Sequence, residues 1–296
     1  MNIYNILGVL LLLLTSCGQP NQKNNGAKTA SSTEEAKLFT MSQIPAIYNS
    51  EEEQINYLAL HYWSNFNFRD TTFISKADVT EKAFANFIHT LTCATKPIID
   101  EALNKMMDSA LTEKLMYSHF ITLSEKYLHD PNSPFRNDAQ YITILNHIIT
   151  SDIDETLKIR PRYQLEMTLK NCPGDIASDF IYILPNSSSA KMSDIEADYI
   201  ILFFNNPDCE ECKRIKELLS QISVPKIRIV AMYVDDDIEL WRNTKYPQEW
   251  INGYSKEIDN LKLYDLCAIP SLYLLDKDKR VILKDAPIDN IIEYFD

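Results

Sequence analysis

The chain reads as an all-α helical domain followed by an α/β domain, on two observations. Between residues 39 and 170 apolar side chains recur at helical spacing, and after Asn171 they gather into short continuous runs of the kind buried in a central sheet. A length of 296 residues accommodates two folded units and a targeting segment. An apolar fraction of 45% beside 24% charged residues suits domains with substantial cores, and only 5 glycines argue against a loop-rich fold.

In the helical part, Ser50 and Glu53 form a capping-box pattern ahead of Ile55, Leu58 and Tyr62. Asp78 and Glu81 repeat it ahead of Phe84, Phe87 and Ile88. Pro97 opens a third helix through Ile98, Leu103 and Met106, because a first turn does not need its missing N–H. Helices are also expected over 113–128 and 138–149, with Asp130-Pro131-Asn132-Ser133-Pro134 as the break between them. Pro161 is expected to bend or split the last helical stretch. Tyr57, Tyr62, Trp63, Phe66 and Phe68 read as helix packing, with a peptide groove as the sharper alternative. Cys93 falls in an apolar helical pattern and reads as core, Cys172 stands at the domain junction, and a bridge between them stays open. His129 beside Asp130 reads as a loop dyad.

In the α/β part, Tyr199-Ile200-Ile201-Leu202-Phe203-Phe204 is a strand apolar on both faces. A helix follows from about Cys209, with Ile215, Leu218, Leu219 and Ile222 on one side. Further strands are expected over 227–234, 271–275 and 281–283, and a closing helix over 288–295.

The chemistry concentrates in Cys209-Glu210-Glu211-Cys212. Disulfide exchange needs one exposed thiolate to attack and a second thiol close enough to resolve the mixed disulfide, and this spacing supplies both. Where a strand ends and a helix begins, unsatisfied backbone N–H groups and the positive end of the helix dipole favour the thiolate of Cys209. Glu210 and Glu211 oppose it to a similar extent, which disfavours a strongly oxidising dithiol. There is no second Cys-x-x-Cys and all 5 histidines precede Asn171, so neither a metal nor a cofactor is expected. Pro270 lacks a ladder donor and belongs at the first position of its strand, where a cis Ile269-Pro270 bond would face the dithiol. Cys267 reads as a partly buried spectator thiol with third-partner exchange as the alternative. The formal charge of -13 excludes a phosphate-binding surface, so no nucleic-acid partner is expected.

The segments Phe203-Phe204-Asn205-Asn206-Pro207-Asp208-Cys209-Glu210-Glu211-Cys212-Lys213 and Tyr264-Asp265-Leu266-Cys267-Ala268-Ile269-Pro270-Ser271-Leu272-Tyr273-Leu274-Leu275-Asp276 resemble the two halves of a thioredoxin active site. Strand, helix, strand, hairpin and helix is the matching order. The expected fold is therefore an α/β thioredoxin fold preceded by an all-α helical domain. Gly174-Asp175-Ile176-Ala177-Ser178-Asp179-Phe180, Val234-Asp235-Asp236-Asp237 and Trp250 resemble the membrane-anchored thioredoxin-like reductases of bacterial envelopes. Tyr127-Leu128-His129-Asp130-Pro131-Asn132-Ser133-Pro134-Phe135-Arg136-Asn137 and His61-Tyr62-Trp63-Ser64-Asn65-Phe66 resemble a helical domain of unknown function found ahead of thioredoxin-like domains in lipoproteins of gut-type Gram-negative bacteria. The resemblance implies a thiol-disulfide oxidoreductase of the protein disulfide reductase type. Cys209 would be its nucleophile and Cys212 its resolving thiol, with Ile269 and the cis Pro270 on the substrate-binding loop. Two positions depart from the pattern. Asp208 stands where a tryptophan is usual, and Phe203 replaces the buried carboxylate, which leaves Cys212 without an evident base.

Residues 6–14 are nearly all apolar yet too short to span a bilayer, and Leu14-Thr15-Ser16-Cys17 resembles a bacterial lipobox. That resemblance implies a signal peptide over 1–17, a lipid on Cys17, and Gly18 at a position that favours a periplasm-facing place in the cell envelope. The polar stretch 18–38 reads as a flexible tether, followed by a helical domain over 39–170 and a thioredoxin-like domain over 171–296. The expected partners are a protein or peptide disulfide substrate, a membrane thiol donor, and the membrane through lipidated Cys17. The rival reading is a redox-inactive binding module in which Cys209 and Cys212 form a structural disulfide.

Overall fold

The computed structural model describes residues 40–296, which belong to one compact unit. The expected signal peptide, Cys17 and the tether lie outside the described residues. Helix α1 spans Glu51–His61 and begins as the capping box predicts, with Ser50 Oγ accepting the Glu53 N–H and the Glu53 carboxylate accepting the Ser50 N–H, each at 3.2 Å. Helix α2 spans Ala77–Leu91 without the second expected box. A 3₁₀ turn over Thr71–Ser75 runs straight into it, Asp78 falls inside the first turn, and Glu81 is taken by Lys126 and Tyr127. Cys93 lies beyond the end of α2 and is half-buried, so it is not a core residue.

Pro97 sits in the first turn of α3, Lys96–Leu111. Helix α4, Lys114–Ser124, ends in a π-helical turn over Glu125–His129, and α5, Asp138–Thr150, is capped by the Asn137 side chain. Pro161 does not break a helix: it lies in the first turn of α6, Ile159–Thr168, and the split falls ahead of it in a 3₁₀ turn over Glu155–Lys158. The apolar faces converge on one core in which Tyr62, Trp63, Phe66 and Phe68 are buried. The Trp63 ring meets Phe66, Phe87 and Phe120 edge-on at 5.2 to 5.6 Å, so this cluster is helix packing, and Trp63, Phe66 and Phe68 also line a small pocket of about 140 Å³. Tyr57 is half-buried and stacks on His61 at 4.3 Å.

After Asn171 the chain forms β1 (Ile181–Ile183), β2 (Ser189–Lys191), β3 (Tyr199–Asn205), α7 (Glu210–Leu219), β4 (Ile227–Tyr233), α8 (Ile238–Asn243), β5 (Ile251–Tyr254), α9 (Lys256–Asn260), β6 (Ser271–Asp276), β7 (Val281–Leu283) and α10 (Ile288–Phe295). Among the described residues these strands make one sheet in the order β2-β1-β5-β4-β3-β6-β7. Strand β3 lies inside it, parallel to β4 and antiparallel to β6. Its alternate side chains fill two cores, as a strand covered on both faces requires. Ile200, Leu202 and Phe204 pack with Phe180, Tyr264 and Tyr273. Ile201 and Phe203 pack with Ile215 and Leu219 of α7 and Ile288 and Ile291 of α10. The chain is thus an all-α region followed by a thioredoxin fold. The β1–β2 hairpin, β5, α8 and α9 go beyond the elements expected from sequence.

Polar contacts join the two regions. Asn171 donates to Leu263 O at 2.8 Å and accepts from the Ser178 N–H at 2.7 Å, while Lys170 Nζ donates to Lys262 O at 2.6 Å. Arg136 Nη1 meets Asp285 at 2.5 Å, and Lys284 Nζ meets Asp138 at 3.0 Å.

Candidate active site

Strand β3 delivers the chain to its dithiol at the mouth of α7. Cys209 is the N-cap of that helix, in extended conformation, and its sulfur accepts the Cys212 N–H at 3.3 Å. A sulfur in the capping position takes over one of the backbone donors that a helix start leaves unsatisfied. Cys209 is half-buried, whereas Cys212, one turn on, is 2% exposed and packs among Phe203, Ile215 and Leu272. Burial, then the hydrogen bond with the Cys209 sulfur, pushes the Cys212 thiol up to about 12, against the pull of the Asn206 backbone N–H. One thiol is therefore presented and the other withheld.

The Ile269-Pro270 bond is cis, and Ile269 O lies 3.9 Å from Cys209 Sγ. Ser271, directly after the proline, is in register with Phe204 near the end of β3. This pairing brings the proline loop against the dithiol across 60 residues of sequence.

The two glutamates behave differently from the sequence expectation. Glu210 pairs with Lys213 at 2.6 Å, and Glu211 takes both an Nε and an Nη of Arg214 at 2.9 and 2.6 Å. The Arg214 guanidinium holds the Glu211 carboxyl below its ordinary value. With a cation on each carboxylate, they oppose a thiolate at Cys209 less than two lone glutamates would.

Phe203 is fully buried, as an apolar residue in the usual carboxylate position should be. A buried polar group two residues on is one that the sequence reading missed. Asn205 is 1% exposed, donates to Phe203 O and Met232 O at 2.9 and 3.3 Å, and accepts from the Tyr246 hydroxyl at 2.5 Å. Burial raises the Tyr246 pKa, against the pull of its hydrogen bond to Asn205. Tyr246 also stacks on Trp250 at 5.9 Å and carries Lys216 Nζ 4.4 Å over its ring. The available signal was Asn205 itself, an amide that ends the apolar run from Tyr199 to Phe204.

Cys93, Cys172 and Cys267 are free thiols among the described residues, and Cys93 and Cys172 are not bridged. Cys172 Sγ donates to Thr168 O and Leu169 O at 3.5 Å. Cys267 is exposed, and its thiol donates to Asp265 Oδ1 at 3.1 Å. His129 is no loop dyad: it stacks on Tyr141 at 4.6 Å and turns Nε2 to within 3.8 Å of Cys267 Sγ.

Residues 16–171 match the family described as a domain of unknown function, DUF5106. A thioredoxin-like protein from Bacteroides caccae is 38% identical in sequence and superposes with a TM-score of 0.82, over 87% of this chain and 98% of that one. The C-terminal domain of an uncharacterized protein from Bacteroides fragilis is 37% identical over 42% of this chain and 96% of its own, with a TM-score of 0.41. A domain of a possible thiol-disulfide isomerase from Cytophaga hutchinsonii is 23% identical over 43% of this chain and 92% of its own, with a TM-score of 0.39. No curated protein matches the sequence.

Proposed function

Because the chain belongs to the DUF5106 family and continues into a thioredoxin fold, we propose that it is a thiol-disulfide oxidoreductase working as a protein disulfide reductase. The observation that carries this reading is the asymmetry of the dithiol, with Cys209 capping α7 beside the Ile269 carbonyl and Cys212 buried behind it. The Cys209 thiolate attacks one sulfur of a substrate disulfide, forms a mixed disulfide and releases the other substrate sulfur as a thiolate. Cys212, once deprotonated, attacks Cys209 Sγ, and the second substrate sulfur leaves as a thiolate. The substrate gains two electrons and the protein is left with a Cys209–Cys212 disulfide, which a membrane dithiol donor re-reduces by the same exchange. Ile269 and Pro270 flank the approach and act as the substrate-binding loop. The reductase direction rests on the resemblance to envelope reductases, since the cations beside Glu210 and Glu211 weaken the electrostatic argument for it.

The test is a pair of variants run on non-reducing gels. Cys212→Ser should accumulate mixed disulfides with substrate proteins, and Cys209→Ser should accumulate almost none. Absence of adducts in both, with a disulfide that resists reduction in the folded protein, would establish the redox-inactive binding module instead. The fully buried Phe203 in place of a base is the one observation that favours that rival. A lipid on Cys17 would hold the protein to the periplasm-facing membrane of the cell envelope. Cys17→Ser should then shift it from the membrane to the soluble fraction, and unchanged fractionation would remove the anchor.

A further inference from the structure

A cleft of about 320 Å³ opens between the helical region and the thioredoxin fold. Tyr163, Gln164 and Met167 of α6 form one wall, and the other is built by Ile258 with the loop from Tyr264 to Ile269. Ile269 belongs to both this cleft and the dithiol, since its carbonyl lies 3.9 Å from Cys209 Sγ. A segment seated at the reactive sulfur therefore has the cleft as its neighbour.

The polar chemistry of the cleft is one-sided. Asp265 lines it and is only 5% exposed, and its Oδ2 is buried without a hydrogen-bond partner among the described residues. Among the described residues Oδ1 has only the Cys267 thiol as donor, at 3.1 Å. A thiol is a weak S–H donor and does not match the charge of a carboxylate. His129 does not compensate the carboxylate either. Burial lowers its pKa, and its Nδ1 is a second buried atom without a partner among the described residues. The nearby cations are committed elsewhere, Lys262 to Asp259 at 2.5 Å and Arg136 to Asp285 at 2.5 Å. A buried carboxylate with one oxygen unpaired and the other on a thiol is costly as it stands, and a charge-assisted donor would relieve it.

We propose that this cleft is a subsite for a basic side chain, arginine above lysine, on the polypeptide whose disulfide Cys209 attacks. The apolar walls take the aliphatic stem, the Tyr163 ring offers a face to the cation, and the guanidinium displaces the Cys267 S–H from Asp265 and bonds the carboxylate. The surroundings of the dithiol agree in sign. Asp208 precedes Cys209, and Asp235, Asp236 and Asp237 follow Val234, which itself lines the cleft. Lys213 and Arg214 are neutralised by their own glutamates. An overall charge of -13 draws a basic segment toward this face.

The occupant's being a disulfide-bearing chain rests on the reductase reading, whereas the preference for a cation does not, and the experiment separates them. Two fluorescent, cysteine-free peptides that differ only in arginine against glutamate are titrated into the full reduced chain, its Asp265→Asn variant and its Tyr163→Lys variant. Tyr163 is exposed, so that variant keeps the test open should replacement of buried Asp265 prevent folding. The arginine peptide should bind wild type about tenfold or more tighter, as one charge-assisted hydrogen bond gives, and both variants should lose that margin. Equal binding of the two peptides, or a margin that survives in every folded variant, overturns the subsite and leaves only a diffuse acidic field. Two further peptides, which carry the same arginine or glutamate beside an added pair of disulfide-bonded cysteines, are then offered as substrates. Selective binding with no reduction keeps the subsite and removes the reductase reading, while equally fast reduction of both removes the subsite and keeps the reductase.

Discussion

Cys209 and Cys212 are one helical turn apart and chemically unlike, because the first caps α7 at the surface of the fold and the second lies on the face of α7 that packs against β3. The difference has a pH signature. The Cys212 thiol titrates near its ordinary value of 9.0 when unfolded and at about 12 when folded, so the folded state holds its proton more tightly. A raised folded pKa stabilises below the unfolded value and loses that contribution as pH climbs through the folded one. The reduced protein should therefore become less stable as pH rises from about 9 toward 12. Urea midpoints of the reduced protein at about pH 8 and about pH 10 measure this. Cys212→Ser, which has no thiol to ionise, should show a smaller drop, and an equal drop in both would mean that Cys212 is not the group responsible.

At the scale of elements, the joint between β3 and the segment leading to β5 depends on one buried amide. Tyr246 reaches back to Asn205 from the segment after α8, and Tyr246→Phe would leave Asn205 Oδ1 without its donor in a site that water does not reach. An orphaned buried acceptor costs about 1–3 kcal/mol, so that substitution should lower stability by this amount in denaturant unfolding. A loss under about 0.5 kcal/mol would mean that the amide finds another donor. This contact was invisible in the sequence because its partners are 41 residues apart. The legible parts were those whose physics is local. Strands β3, β4 and β6 are 6 or 7 residues long and each holds a continuous apolar run, and the dithiol and Pro270 mark their own positions near strand ends. Strands β2 and β5 have 3 or 4 residues and no comparable run, which is too little pattern to separate from a loop, whereas β1 lies in the apolar run 180–184, a signal that was there to be read. Capping shows the same limit. The Glu53 carboxylate accepts from the N–H groups of Asn49 and Ser50 at its own helix entry, whereas Glu81 is drawn to Lys126 and Tyr127 in the turn after α4.

At the scale of the whole molecule, the helical region is held to the thioredoxin fold by charge at a shared boundary. Asp138, in the first turn of α5, lies 3.0 Å from Lys284 Nζ and 3.8 Å from Arg136 Nε, and Arg136 in turn meets Asp285. The Lys284 side chain is 4% exposed and also donates to Thr168 O at 2.5 Å, so its charge has left bulk water. Burial works against the charge of Arg136, and Asp285 with Asp138 more than offsets it. Exposed ion pairs contribute up to about 1 kcal/mol, whereas breaking a buried pair from one side costs about 3–5 kcal/mol. Asp138 is 26% exposed on its side chain, which places the Lys284 pair between these limits. Asp138→Asn should therefore destabilise the protein by about 2 kcal/mol, because the nearly buried Lys284 side chain loses its carboxylate partner. Lys284→Met removes the charge itself, and in that background Asp138→Asn should cost much less. A double-mutant cycle in urea reads the coupling directly, and the cycle should stay open by more than about 1 kcal/mol and change little with added salt, since shielded pairs are weakly screened. Additivity within about 0.5 kcal/mol would mean that the two regions are joined by the backbone contacts of Lys170 and Asn171 instead.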